Sequence, residues 1–313
     1  MMAINLLSVR RSDPCACDRK TGPHMAMLAI LAFALALLAS PSPAQTWKTF
    51  PKPPPMPPSA SSGFVPVGAV RIYYATFGAG PPLLLIHNGL GDSDDWAGIV
   101  PLLETHYRVI VADTRGFGRS TRDSTPYSYD LLASDYLHVM DALDLRRVVV
   151  VGTSDGGIIG LDLAIHHPDR IAGLFAQGAN ATPDAFREPA DLTAIRLGLA
   201  HAKSEYQRLS PTPGDYLAFR QALAKMDGEQ PHFSSAQLAG IRAVTAIVMS
   251  DHEESIRPEH SRYLASTIPH ARLIILHDVS HFAPLQDPGQ FARAVLAFVA
   301  RVPGWKARKG SGR

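Results

Sequence analysis

The chain has 313 residues, 46% of them hydrophobic, and a formal charge of +2 from 30 basic and 28 acidic side chains. This is enough apolar material for one large core or two modest ones. The near balance of charge gives no electrostatic case for a nucleic-acid partner or an anionic membrane surface.

The first segment is unlike the rest. Met25 to Ala39, MAMLAILAFALALLA, is apolar and uncharged but short for a membrane span. Arg10, Arg11, Arg19 and Lys20 precede it, and SPSPAQ follows, with Ser42 and Ala44 as the small residues a signal peptidase requires. Residues 1–44 therefore read as a cleavable export signal, cut after Ala44, with an uncleaved amino-terminal anchor as the alternative. Translation starts at Met1 or Met25. The product is exported, periplasmic or secreted. Both cysteines, Cys15 and Cys17, precede the apolar run, so the mature chain stands on its core without disulfides. Loss of 1–44 takes away four basic and two acidic residues and leaves 26 of each sign.

Residues 45–63 include FPKPPPMPPSASSG, whose composition predicts an extended tether. Alternation in FVPVGAVRIYYATFG predicts a hairpin. Then come short, continuous apolar runs: Leu83–Ile86, Val109–Ala112, Val148–Val151, Val244–Met249 and Leu273–Leu276. Such runs suit parallel strands covered on both faces. Helical spacing lies between them. Leu132, Tyr136, Val139 or Met140, and Leu143 share one helical face, as do Phe291, Val295 and Phe298 after an Asp287-Pro288 start signal. Strand–helix alternation specifies a doubly wound α/β sheet. From about 181 to 238 no strand run is found, which predicts a helical insertion over the sheet's carboxyl edge. The tail 303–313 is basic and frayed, and no internal repeat is present.

The polar residues at the strand ends carry the chemistry. Gly152-Thr153-Ser154-Asp155-Gly156 is G-x-S-x-G directly after a strand and before a helical pattern, the context of a nucleophile elbow. A glycine-rich turn with an idle serine is the alternative, so the partners decide. His281 follows the last strand run by a short loop, and Asp251, Glu253 and Glu254 follow the run before it. A buried carboxylate there would fix the imidazole tautomer and stabilise the imidazolium.

In order and context these motifs resemble the α/β-hydrolase family, over about 64–302. HNGLGDSDDW resembles its oxyanion loop, DTRGFGRS its Asp-x-Arg-Gly-x-Gly-x-Ser segment, SDHEESIRPEH its acid loop and VSHFAPLQDP its histidine loop. The Ser-Asp-Gly-Gly elbow is similar to the biphenyl-hydrolase-like branch of the carboxylesterases. The resemblance implies an α/β-hydrolase fold with a helical cap, Ser154 as nucleophile and His281 as general base. Glu253 is implied as the orienting acid, with Asp251, Glu254 and Asp184 as alternatives. The backbone N–H groups of Gly89 and Asp155 would hold the oxyanion, and Asn88 and the Asp155 side chain are candidate substrate contacts. Asn88 and Ser250 stand where the family has glycine, and Glu253 where it has aspartate.

A serine nucleophile implies an acyl-enzyme and hydrolysis of a small carboxylic ester or lactone, without cofactor or metal, on a small-molecule substrate. A carbon–carbon bond hydrolase of ring-fission products is the alternative on the same fold. Tyr206, Tyr216, Phe219 and Phe233 of the insertion would line the pocket. Two readings come from other classes. A dinucleotide-binding oxidoreductase would use Gly89-Leu90-Gly91 and Asp113, but Asp94 occupies the third glycine's place. A non-catalytic binding protein would keep the fold and lose the chemistry. The stretch HEESIRPEH lacks the second histidine of H-E-x-x-H, so it supports no zinc site.

Overall fold

A computed structural model describes residues 45–306 apart from Pro189; the expected signal over 1–44 and most of the basic tail lie outside the described residues. Eight strands form one sheet: β1 Ser61–Val67, β2 Val70–Phe77, β3 Pro82–Ile86, β4 Arg108–Ala112, β5 Val148–Thr153, β6 Ile171–Gln177, β7 Val244–Ser250 and β8 Ala271–Leu276. Their spatial order is β1-β2-β4-β3-β5-β6-β7-β8. β1 pairs antiparallel with β2 and β2 with β4, and every later pairing is parallel. The hairpin expected from alternation turns at Gly68, whose φ of 57° suits a residue without Cβ.

The continuous apolar runs have a two-sided reason. Val148 and Val150 of β5 face one core with Leu84 and Ile86, while Val149 and Val151 face the other with Leu83 and Leu85. Helices α2 (Tyr129–Ala142), α3 (Asp155–His166) and α7 (Pro258–Thr267) contribute to the first core. Helices α1 (Val100–Leu103) and α9 (Pro288–Val299) contribute to the second. β8 departs from this pattern: as the outermost strand it is covered less completely, and Ile275 is exposed.

Three helices, α4 (Thr193–Leu209), α5 (Tyr216–Glu229) and α6 (Ser235–Ala239), make the insertion between β6 and β7. Among the described residues, no helix is long and apolar enough to cross a membrane. The segment expected to be a free tether is docked: Thr46–Lys48 form one turn of 3-10 helix, and the proline-rich stretch follows it. Gln286 of α8 (Ala283–Gln286) donates to the carbonyls of Trp47 and Thr49, and Met56 packs against the second core.

Candidate active site

Ser154 sits between β5 and α3 with φ 53° and ψ −120°, a conformation costing on the order of 1–3 kcal/mol for a residue with a side chain. Surrounding structure enforces it. The Ser154 N–H donates to the Gln177 carbonyl on β6 at 2.7 Å, and the Ser154 carbonyl accepts from Gly157 and Ile158 at 2.8 and 3.0 Å. The flanking glycines are steric necessities: a Cβ on Gly152 would lie 2.1 Å from the Gly156 oxygen, and one on Gly156 would lie 2.1 Å from the Ile86 oxygen. Strand, turn and helix together hold the serine at the carboxyl edge of the sheet.

The loops after β7 and β8 bring the acid and the base together. His281 Nδ1 lies 2.6 Å from Glu253 Oε1, and both side chains are buried. The same carboxylate oxygen accepts from the Ser255 and Ile256 N–H groups at 3.0 and 3.3 Å. With Nδ1–H donating to a carboxylate, Nε2 is left as the basic nitrogen. The other acids have different partners. Asp251 contacts His277 Nδ1 at 3.3 Å and accepts from Asp278 N–H at 3.2 Å, Asp184 is exposed beside Arg257, and Glu254 accepts the backbone N–H of His281 at 2.9 Å. Ser250 has a use for its hydroxyl, which donates to the Ser280 carbonyl at 2.6 Å and ties the two loops together.

One residue of the site has no sequence motif of its own. Gly178 follows β6 with φ 62°, and a Cβ there would lie 2.6 Å from His281 Cε1 and 2.9 Å from Nδ1. The imidazole occupies the space that a side chain at 178 would need. A glycine ending a strand was the only signal available in the sequence.

Opposite the elbow, the loop after β3 is wound tightly. His87 Nε2 accepts the Thr114 N–H at 3.0 Å, so its Nδ1 carries the hydrogen and donates to the Asn88 carbonyl at 2.8 Å. Asn88 Oδ1 accepts the Leu90 N–H at 2.8 Å, so this side chain closes a turn and its oxygen is not offered to a substrate. Asp113, which the dinucleotide reading needs at a ribose, is fully buried and accepts from the Ser93 and Arg119 N–H groups instead. Gly89 faces Asp155 so closely that a Cβ would lie 2.2 Å from Asp155 Oδ2. Tyr129 on α2 donates to Asp155 Oδ1 at 3.0 Å. The Asp155 carboxylate thus joins α2, the elbow and the loop after β3.

The cap closes over this arrangement. Arg220 of α5 donates to the Gly89 carbonyl at 2.7 Å, and Leu90, Phe117, Tyr206, Tyr216 and Phe219 line the adjoining cleft. Phe233 does not line it: it is buried in the core, and its N–H donates to the Ala181 carbonyl.

The electrostatics follow from burial. Burial opposes a charge on His281, but the Glu253 charge and hydrogen bond, then Glu254 and Asp155, outweigh it and lift the imidazole to about 9. Burial, with the neighbouring Asp155 charge, pushes the Asp227 carboxyl on α5 to about 8 against the opposing pull of Arg220 and Tyr129. Burial also raises Asp155 despite the Tyr129 hydrogen bond and the Arg220 charge.

Comparison with known proteins agrees with this fold. The model of the alpha/beta hydrolase fold family matches residues 81–198. Several relatives carry the name carbamate hydrolase RutD, among them two from different genera. The protein from Caulobacter sp. strain K31 is 31% identical over 245 residues, 69% of this chain and 90% of that one. The protein from Azorhizobium caulinodans is 28% identical over 257 residues, 75% of this chain and 97% of that one. Among solved structures, Est816, titled an N-acyl homoserine lactone degrading enzyme, superposes with a TM-score of 0.63 at 27% identity, over 76% of this chain and all of that one. Sheet order, elbow and relatives agree, and the chain belongs to the α/β-hydrolase family and is a hydrolase of that fold.

Proposed function

We propose that this chain is a serine hydrolase that cleaves a small carboxylic ester or lactone through an acyl-enzyme. One observation carries the reading: His281 Nδ1 is held 2.6 Å from a buried Glu253 carboxylate, at the same carboxyl edge of the sheet as the strained Ser154 elbow. His281 Nε2 takes the Ser154 proton as Oγ attacks the carbonyl carbon. The imidazolium, stabilised by Glu253, then gives that proton to the leaving alkoxide, and the acyl group stays on Ser154. Water repeats the sequence in reverse, with His281 first as base and then as acid, and releases the carboxylate. The Gly89 and Asp155 N–H groups receive the negative oxygen of each tetrahedral intermediate, each donor contributing on the order of 3 kcal/mol. Carbamates and lactones, named for the relatives, share this acyl chemistry with esters.

An organophosphonate should label intact protein at Ser154, and the Ser154→Ala variant should neither label nor turn over substrate. A panel of p-nitrophenyl acyl esters, lactones and ring-fission dienones sorts the substrate class. Turnover of dienones alone, or labelling that survives Ser154→Ala, would remove the proposal. Export follows from the leader, with Gln45 as the mature amino terminus; an intact leader in exported protein by mass spectrometry would contradict it.

A further inference from the structure

The docked amino-terminal segment touches the catalytic loops at several points. The Trp47 ring stacks on the His252 imidazole with centroids 3.7 Å and planes 11° apart, and His252 directly precedes Glu253. Gln286 uses its whole amide at one junction. Its Oε1 accepts the Ser280 N–H at 2.7 Å, and its Nε2 donates to the Thr49 carbonyl at 2.8 Å, to the Trp47 carbonyl at 3.3 Å and to Ser280 Oγ at 3.0 Å. Ser280 directly precedes His281. On its other side, Phe282 meets the Phe50 ring edge-on at 4.9 Å. Phe50 also lies 5.0 Å from the His201 ring on cap helix α4, and Lys48 pairs with Asp191 just before that helix at 3.2 Å. One short segment therefore reaches the acid loop, Phe282 beside His281 and the cap, and through Gln286 it reaches Ser280 on the other side of His281.

The topology gives this contact set a purpose. The histidine loop leaves β8, the outermost strand, so no neighbouring strand or its following loop supports it on that side. We propose that residues 46–50 form a strap that positions His281 against Glu253, taking the place of that absent neighbour. The strap works through backbone carbonyls and two aromatic rings and brings no group to the reacting atoms. It is a positioning element for the reaction proposed above, on whose identity the kinetic part of its test rests. Gln286 is the coupling piece, because among the described residues it alone bonds both the strap carbonyls and Ser280. Gly198 shows how closely the parts meet: a Cβ there would lie 3.0 Å from Phe282, 3.1 Å from Phe50 and 3.3 Å from Leu90 of the oxyanion loop.

The test uses the full chain in two altered forms. Trp47→Ala/Phe50→Ala removes both ring contacts at partly exposed positions, and Gln286→Met removes the amide links while keeping the side chain's bulk. Misplacing the base by a fraction of an ångström should lower kcat about tenfold or more, with KM little changed. The downfield Nδ1–H proton resonance of His281, a signature of its bond to Glu253, should broaden or shift in both variants. Unchanged kcat in both variants overturns the proposal. So does lowered kcat with an unchanged resonance, which would trace the loss to general destabilisation. The resonance is read in resting protein without substrate. If the intact chain resists organophosphonate labelling, the serine-hydrolase reading fails and the resonance alone still decides the strap.

Discussion

His281 with two glutamates beside it should make this enzyme alkaline in its preference. The base must be free at Nε2 to take the Ser154 proton, and its pKa of about 9 leaves it charged below that pH. At pH 7 only about one molecule in a hundred would hold the free base, so kcat/KM should climb roughly tenfold per pH unit and level off above 9. Glu254→Gln is the informative perturbation. A glutamine oxygen can still accept the His281 backbone N–H that Glu254 now takes at 2.9 Å, so the loop keeps its geometry and loses one negative charge. Glu253 and Asp155 remain to face the imidazole. The rising limb should then move to lower pH by on the order of one unit, the effect of a single neighbouring charge.

The assay is kcat/KM for a p-nitrophenyl ester between pH 6 and 10.5, paired with an NMR titration of the His281 ring. A wild-type midpoint near 6.5, or a midpoint unmoved by Glu254→Gln, would refute the reasoning. Stability carries the opposite sign to activity. A histidine lifted from its ordinary 6.5 to about 9 stabilises the fold fully below pH 6.5, and that contribution, roughly 3 kcal/mol, is lost as pH rises through 9. Melting temperature should therefore fall across the range in which activity rises, and fall less steeply in Glu254→Gln.

Three further outcomes can be checked. Gly178→Ala forces a Cβ to within 2.6 Å of His281 Cε1 at a φ of 62°, so the ring must move; kcat should fall about a hundredfold, and a fall of less than about threefold would contradict that contact. Glu253→Gln should lower kcat by at least about a hundredfold, while Asp251→Asn and Asp184→Asn stay near wild type; the reverse ranking would reassign the acid. Asp227, whose carboxyl is raised from 3.8 to about 8, contributes stability that is fully present below pH 3.8 and fades as pH rises through 8. Asp227→Asn should therefore match wild type in thermal melts at or below pH 3.8 and exceed it by a margin that grows up to pH 8, and an unchanged difference across that range would rule out the buried charge.

What was legible in the sequence depended on how far away the constraint lay. The elbow could be read because its demands are local: Gly152 and Gly156 collide with backbone only a few residues distant or on the adjacent strand, so the pentapeptide carries its own geometry. Position after a strand run offered Asp251, Glu253 and Glu254 alike, and only the fold sets Glu253 against His281 Nδ1 while the Glu254 carboxylate turns to the His281 backbone and Asp251 to His277. Gly178 was silent because the group that excludes its Cβ is His281, far along the chain. Phe233 was misjudged for the same reason: an aromatic in an insertion suggests a pocket, and burial in the core beneath the cap is a tertiary outcome. The proline-rich segment is the sharpest case. Its composition predicts a tether, but Trp47 and Thr49 at its start present carbonyls that a distant amide can capture, and Gln286 supplies that amide. Composition speaks only to the local backbone of such a segment, and a distant partner determines whether it is a tether or is docked.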